Sequence, residues 1–216
     1  MGKGIALEFR RRFPEMFIQY QHDCEQGKLV PGKIYYYPWR ETLILNFAVK
    51  KYWRYPSKPE WIQSCLKEFV NEYPEKKISS VAFPWIGAQN GGIPLKTIQF
   101  LMNSILGKLQ DIDIEVYDFD PDASDPLYEK LNTIVNSFNS LTVLKRSGLK
   151  VQSCQKIIKA IEKGEVKSLP GIVSSKIIGD KSIDKLYLFL RDYDETKSLT
   201  DNTFPTQPLL FPENDK

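Results

Sequence analysis

The chain has 216 residues, 42% hydrophobic and 12% aromatic, enough for one ordinary domain and a smaller appendage. No apolar run nears the ~20 residues that span a bilayer and no charged-then-apolar leader is seen, so the sequence predicts a soluble, cytoplasmic protein with no membrane partner. Three scattered cysteines (Cys24, Cys65, Cys154) lack metal-ligand or disulfide spacing, which points to a reducing compartment without a bound metal, and the lone histidine, His22, argues against His-based catalytic dyads.

In chain order, Met1-Gly2-Lys3-Gly4-Ile5-Ala6 opens a helical pattern. Ile5, Leu7, Phe9 and Phe13 mark its expected apolar side, and Arg10-Arg11-Arg12 its wet side. Glycines before a helix N-terminus let backbone N–H groups approach a phosphate closely. Pro14 predicts the first turn of a second helix stopping near Gly27. Lys33–Tyr37 and Thr42–Phe47 read as strands.

Leu43–Ser57, LILNFAVKKYWRYPS, starts as a buried strand and delivers Asn46, Lys50 and Lys51 where that strand should end. A lysine at such an exit is either a solvated strand end or a partly desolvated amine available for nucleophilic chemistry. Ser57-Lys58-Pro59-Glu60 predicts a capping box for a helix over Lys58–Tyr73. Ile78–Phe83 reads as a strand, followed by the loop Pro84–Ile93, PWIGAQNGGI, and a helix over Pro94–Leu106. Strand, glycine-rich loop and helix is an arrangement that holds diphosphates through backbone N–H groups, and it is also an ordinary tight turn. Ile112–Phe119 is the next strand, and the alternation through residue 120 predicts a layered α/β domain.

From Asp122 the pattern turns helical, with helices over about Pro126–Phe138, Leu149–Lys163, Leu169–Ile177 and Ser182–Asp192. The expected organisation is a domain over residues 1–122, a helical region over 123–193 and a flexible tail over 194–216. Net charge is +3, yet residues 145–191 hold eleven Lys/Arg against four Asp/Glu, a lean towards an anionic partner. Two short helices about Gly179 read either as a packing unit or as a helix-turn-helix contacting DNA. In the tail, Gln207-Pro208-Leu209-Leu210-Phe211 resembles peptides that dock on bacterial sliding clamps through Gln207, Leu210 and Phe211.

Three stretches, MGKGIALEF, LNFAVKKYWRYPS and PWIGAQNGGI, together resemble the macrodomain family, which binds ADP-ribose. The resemblance is to its branch of DarG-type antitoxins and terminal ADP-ribose glycohydrolases. It covers roughly residues 1–120 and implies an α/β three-layer sandwich. It further implies that Gly2, Lys3, Gly4, Ile5 and Ala6, with Gly87, Ala88, Gln89, Asn90, Gly91, Gly92 and Ile93, form the two loops holding the diphosphate and ribose. Lys50 matches the family lysine that attacks the anomeric carbon, with Lys51 facing the other way. No separate cofactor is implied. A toxin partner and DNA follow from the same resemblance.

Several positions depart from the family pattern. This chain opens at the motif's own methionine, so the expected fold lacks the family's first strands. Gln89 stands where a second loop glycine is usual, Ala48-Val49 replaces Pro-Thr, and Pro94-Leu95 replaces Asp-Trp. Gly91 occupies the position of an aspartate that resolves the lysine adduct in one branch. The resemblance thus leaves two readings: a glycohydrolase acting on modified DNA or protein, and a reader that binds ADP-ribose without turnover.

Overall fold

A computed structural model describes residues 1–52 and 54–193. The expected tail over 194–216, with its clamp-like segment, lies outside them. The chain divides after Asp120 into two compact units, and each is described by itself.

In the first unit, α1 (Gly4–Arg12) and α2 (Pro14–Glu25) are separated by a single residue. Phe13 leaves helical geometry because the ring of Pro14 crowds the residue before it, and Pro14 then fits the first turn of α2. The polarity expected for α1 is partly reversed. Arg11 is its buried residue, whereas Ile5 is 52% exposed. Three consecutive arginines cannot all face one way at 100° per residue, so one turns inward. Arg12 pairs with Glu8 one turn earlier at 2.6 Å.

Strands β1 (Ile34–Trp39) and β2 (Thr42–Phe47) form an antiparallel hairpin, in register from Ile34 opposite Phe47 to Trp39 opposite Thr42. Helix α3 (Pro59–Glu72) buries Ile62, Cys65, Leu66 and Phe69, an i, i+3, i+4, i+7 stripe. Strand β3 (Ser80–Pro84) runs parallel to β4 (Asp113–Tyr117), with α4 (Leu95–Leu106) as the crossover between them. The core joins Ile34 of β1, the α3 stripe, Phe83 of β3, and Ile98 and Met102 of α4. Phe69 and Phe83 meet edge to face with centroids 5.4 Å apart. The architecture is mixed α/β, but the four strands do not make one sheet. They form two separate pairs, β1–β2 and β3–β4, so each strand has one edge without a ladder partner among the described residues.

The capping box expected at Ser57 and Glu60 does not form. Lys58 is the N-cap because Pro59 takes the first helical position, and Ser57 is drawn inward to 5% exposure.

The second unit is helical: α5 (Pro126–Val135), α6 (Ser140–Lys145), α7 (Val151–Glu162), α8 (Leu169–Ser174) and α9 (Asp180–Asp192). Leu131, Leu144, Ile157, Leu169, Ile172 and Leu186 are fully buried in its core. The short α6 has no counterpart in the sequence reading, because six residues are too few to show a helical period. Asp125 caps α5 by accepting from Leu127 N at 3.1 Å and also accepts from Leu169 N at 3.0 Å, so one buried carboxylate ties the starts of α5 and α8. Ser168 caps α8 by accepting from Gly171 N and donates its own proton to the Pro121 carbonyl.

Candidate functional site

The hairpin fixes where Lys50 starts. Beyond the last ladder pair, Ala48 N donates to Lys33 O (3.0 Å) and Gly32 N to Ala48 O (2.8 Å), so the exit of β2 stays tied to the entry of β1. Asn46 is spent on the scaffold, its amide donating to Tyr35 O at 3.3 Å. Two residues past this clamp, Lys50 is half-buried and Lys51 exposed. Lys50 is therefore less withdrawn from water than a sealed strand exit would make it. Its Nζ donates to the backbone carbonyl of Asn90 at 2.7 Å.

Asn90 lies at the tip of the glycine-rich loop. Ile93 N donates to Gly87 O and Gly92 N to Gln89 O, each at 3.2 Å, so the loop closes on itself. Gly87 sits at φ +81°, where a Cβ would also come within 2.6 Å of Ile62 in the core. A Cβ on Gly91 would run into the Gly87 backbone. Any side chain at position 91, an aspartate included, therefore has no room here. Gln89 is exposed, its side chain at the rim of the loop.

Lys50, Pro56 and Ser57 border this loop, and Lys50 and Ser57 are bonded to it. Beside the Lys50–Asn90 bond, Ser57 N donates to Gly91 O at 2.8 Å, and a Cβ on Gly92 would lie 3.6 Å from Pro56. The Ser57 hydroxyl is buried and has no hydrogen-bond partner among the described residues. Sequence reasoning missed Ser57 and Pro56 as loop anchors. The only local signal, Ser-x-x-Glu, fits a helix cap equally well.

The N-terminal turn arrives at the same place. Gly4 begins α1 at φ +57°, and a Cβ there would lie 2.5 Å from the side-chain nitrogen of Asn90. Gly2, Lys3 and Ile5 are exposed and Ala6 is half-buried, and as first-turn residues Ile5 and Ala6 have amides with no acceptor within the helix. Asn90 thus joins the three stretches: its carbonyl holds Lys50, and its side chain lies against Gly4. First-turn amides of α1 beside a glycine-rich loop and an amine suit an anionic ligand with an electrophilic carbon. Among the described residues no group of three His, Cys, Asp or Glu side chains could hold a metal.

The basic stretch of the second unit offers less. Helices α8 and α9 bury their apolar faces in their own core, and on α9 Lys181 and Lys185 are interleaved with Asp180 and Asp184. Lys185 Nζ donates to Gly148 O at 3.2 Å. No helix of the described residues is long and apolar enough to cross a membrane.

The sequence model of the Macro domain family matches residues 1–102. A solved macrodomain of Mycobacterium tuberculosis DarG is similar at 37% identity and a TM-score of 0.53, the match covering 56% of this chain and 82% of that one. The chain belongs to the macrodomain family. The macrodomain portion is also 36% identical over 122 residues to a DNA ADP-ribosyl glycohydrolase of Thermus aquaticus, covering 55% of this chain and 34% of that protein. A Thermosipho africanus DNA ADP-ribosyl transferase-DNA ADP-ribosyl glycohydrolase fusion protein is 29% identical over 136 residues, with 54% and 35% covered. This macrodomain chain therefore spans about a third of the length of the curated relatives it matches.

Proposed function

We propose that the macrodomain binds ADP-ribose between the Gly2–Ala6 turn and the Gly87–Ile93 loop and removes it from modified DNA, with Lys50 as nucleophile. The observation that supports this reading is the convergence on Asn90, whose carbonyl accepts from the Lys50 amine and whose side chain lies beside Gly4. The turns hold the diphosphate and fix the ribose, and the lone pair of Lys50 Nζ attacks C1. The glycosidic bond breaks, its electron pair leaves with the nucleobase, and the proton shed by the new C1–Nζ ammonium passes through water to that nucleobase. A second water then attacks C1, the C1–Nζ bond breaks, and the proton from that water returns to Nζ. The names of the relatives support DNA as the modified macromolecule, and the fusion relative supports a partner enzyme that attaches the ADP-ribose.

A second reading, a reader that binds without turnover, is favoured by Gly91, since no side-chain carboxylate can be accommodated there to help resolve an adduct. Incubation with ADP-ribosylated DNA separates the two. Release of ADP-ribose by the wild-type chain and none by Lys50→Ala supports the enzyme. Retention of the label by a wild-type chain that binds free ADP-ribose supports the reader. Equal release by Lys50→Ala rejects the nucleophile.

A further inference from the structure

In the helical unit, α6 and α7 are joined by the short turn 146–150. Ser147 N donates to Leu144 O at 3.1 Å and Gly148 N to Lys145 O at 3.0 Å, which closes α6. Gly148 then takes φ +72°, a left-handed conformation that redirects the chain. Lys150 O accepts from Ser153 N and Cys154 N to start α7. Leu144 before the glycine and Leu149, Cys154 and Ile157 after it are all buried, so the two helices share one core with α5. Two helices about a glycine turn make a helix-turn-helix.

Around Gly148, unlike around Gly179, the second helix turns an acid-free face to solvent. Val151, Gln152, Gln155, Lys156 and Lys159 are all exposed. At 100° per residue they fall within about 140° of arc, opposite the buried Cys154, Ile157 and Ile161. Residues 145–161 hold five Lys/Arg and no Asp or Glu, so every acid of the basic stretch lies beyond this pair. Lysines alone would suit any polyanion. The glutamines add a finer signal, because an amide presents a donor and an acceptor together and pairs with both N6 and N7 of adenine. Val151, an apolar side chain 42% exposed at the start of the helix, suits a thymine methyl group. The major groove is about 12 Å wide and admits one α-helix, with residues from its first turns against the base edges. Neither α7 nor the turn before it carries an aromatic ring on which an unpaired base could stack. Duplex DNA is therefore the partner this face fits.

We infer that α6 and α7 form a duplex-DNA-reading module, with Gln152 and Gln155 of α7 contacting base edges and Lys156 and Lys159 the phosphates. The assignment concerns the helical unit alone and does not rest on the ADP-ribose reading.

The test uses the full chain and a library of randomised duplexes, from which bound molecules are selected and sequenced. The selected duplex and a scrambled one are then compared by fluorescence anisotropy at several salt concentrations. Selection should converge on one short motif, bound about a thousandfold more tightly than the scrambled duplex, the lower end of specific recognition. Gln155→Ala should lose about tenfold at the motif and leave scrambled DNA unchanged. Lys156→Gln and Lys159→Gln should weaken both duplexes alike, each reducing the salt slope by about one. Lys181→Gln, on the acid-interleaved α9, should bind as wild type does. All four side chains changed here lie in water, so melting temperatures and ADP-ribose affinity should stay at the wild-type values. A chain that enriches no motif, or that binds every duplex alike, overturns the assignment. So does full affinity for the motif in either double variant, Gln152→Ala/Gln155→Ala or Lys156→Gln/Lys159→Gln.

Discussion

Lys50 and Asn90 are forty residues apart in sequence and 2.7 Å apart through an Nζ–H···O=C hydrogen bond. The bond orients the amine across the tip of the glycine loop, and it uses a backbone acceptor that no side-chain substitution can remove. Replacing Lys50 by Arg keeps a cation able to donate to Asn90 O but removes the nucleophilic amine. Lys50→Arg is expected to bind ADP-ribose within a few-fold of wild type by calorimetry and to release none from modified DNA. Release at the wild-type rate would move the nucleophile elsewhere.

Gly91 tests the loop by sterics. A Cβ at this position collides with the Gly87 backbone, which cannot swing aside as a side chain can. Gly91→Ala should therefore open the loop, lower the melting temperature and weaken ADP-ribose binding at least tenfold. Gly91→Asp should do the same rather than restore the aspartate of the family branch. A variant that melts and binds like wild type would show that the loop relaxes freely.

Ser57 separates side-chain from backbone effects. Its hydroxyl is buried without a partner, whereas its N–H donates to Gly91 O. Deleting a buried, unsatisfied hydroxyl is neutral or stabilising, by up to about 1 kcal/mol. Ser57→Ala should unfold in urea at the same midpoint or a higher one. A clear loss of stability would mean that the hydroxyl has a partner in solution.

In the helical unit, Asp125 accepts from the amides of Leu127 and Leu169 while only 3% exposed. Asp125→Ala leaves the Leu169 amide buried and unpaired and should cost about 2–3 kcal/mol in chemical denaturation. Asp125→Asn keeps one acceptor oxygen and should cost less.

Two groups make the fold sensitive to alkali. Burial first, then Cys24, push the Tyr20 phenol up from its ordinary value near 10 to about 12. Burial first, then the Glu68 charge, push the Cys65 thiol from near 9 to about 12. In both, the folded chain keeps a proton that the unfolded chain releases. The stability these two groups contribute is therefore constant below about pH 9 and falls as pH rises from there towards 12. Urea midpoints measured from pH 8 to 11 should show this decline, and Tyr20→Phe should reduce it above pH 10. The same burial predicts that Cys65 and Cys154 resist alkylation at pH 8 while exposed Cys24 is the cysteine modified, as mass spectrometry would show.

The sequence by itself determined most element positions, because Pro14, Pro59 and Pro126 mark helix starts and the Ile62–Phe69 stripe repeats at the helical period. It also supplied the three motifs that place the chain among macrodomains. Such signals are local: each lies within a few turns of backbone, where spacing alone dictates geometry. Only the tertiary structure decided that Arg11 rather than Ile5 faces inward, that Ser57 anchors a loop instead of capping a helix, and that the strands split into two pairs. It alone joined Lys50, Asn90 and Gly4. These outcomes depend on what packs against each residue from distant parts of the chain, and a pattern in the sequence fixes which face is apolar without naming the neighbour that will cover it.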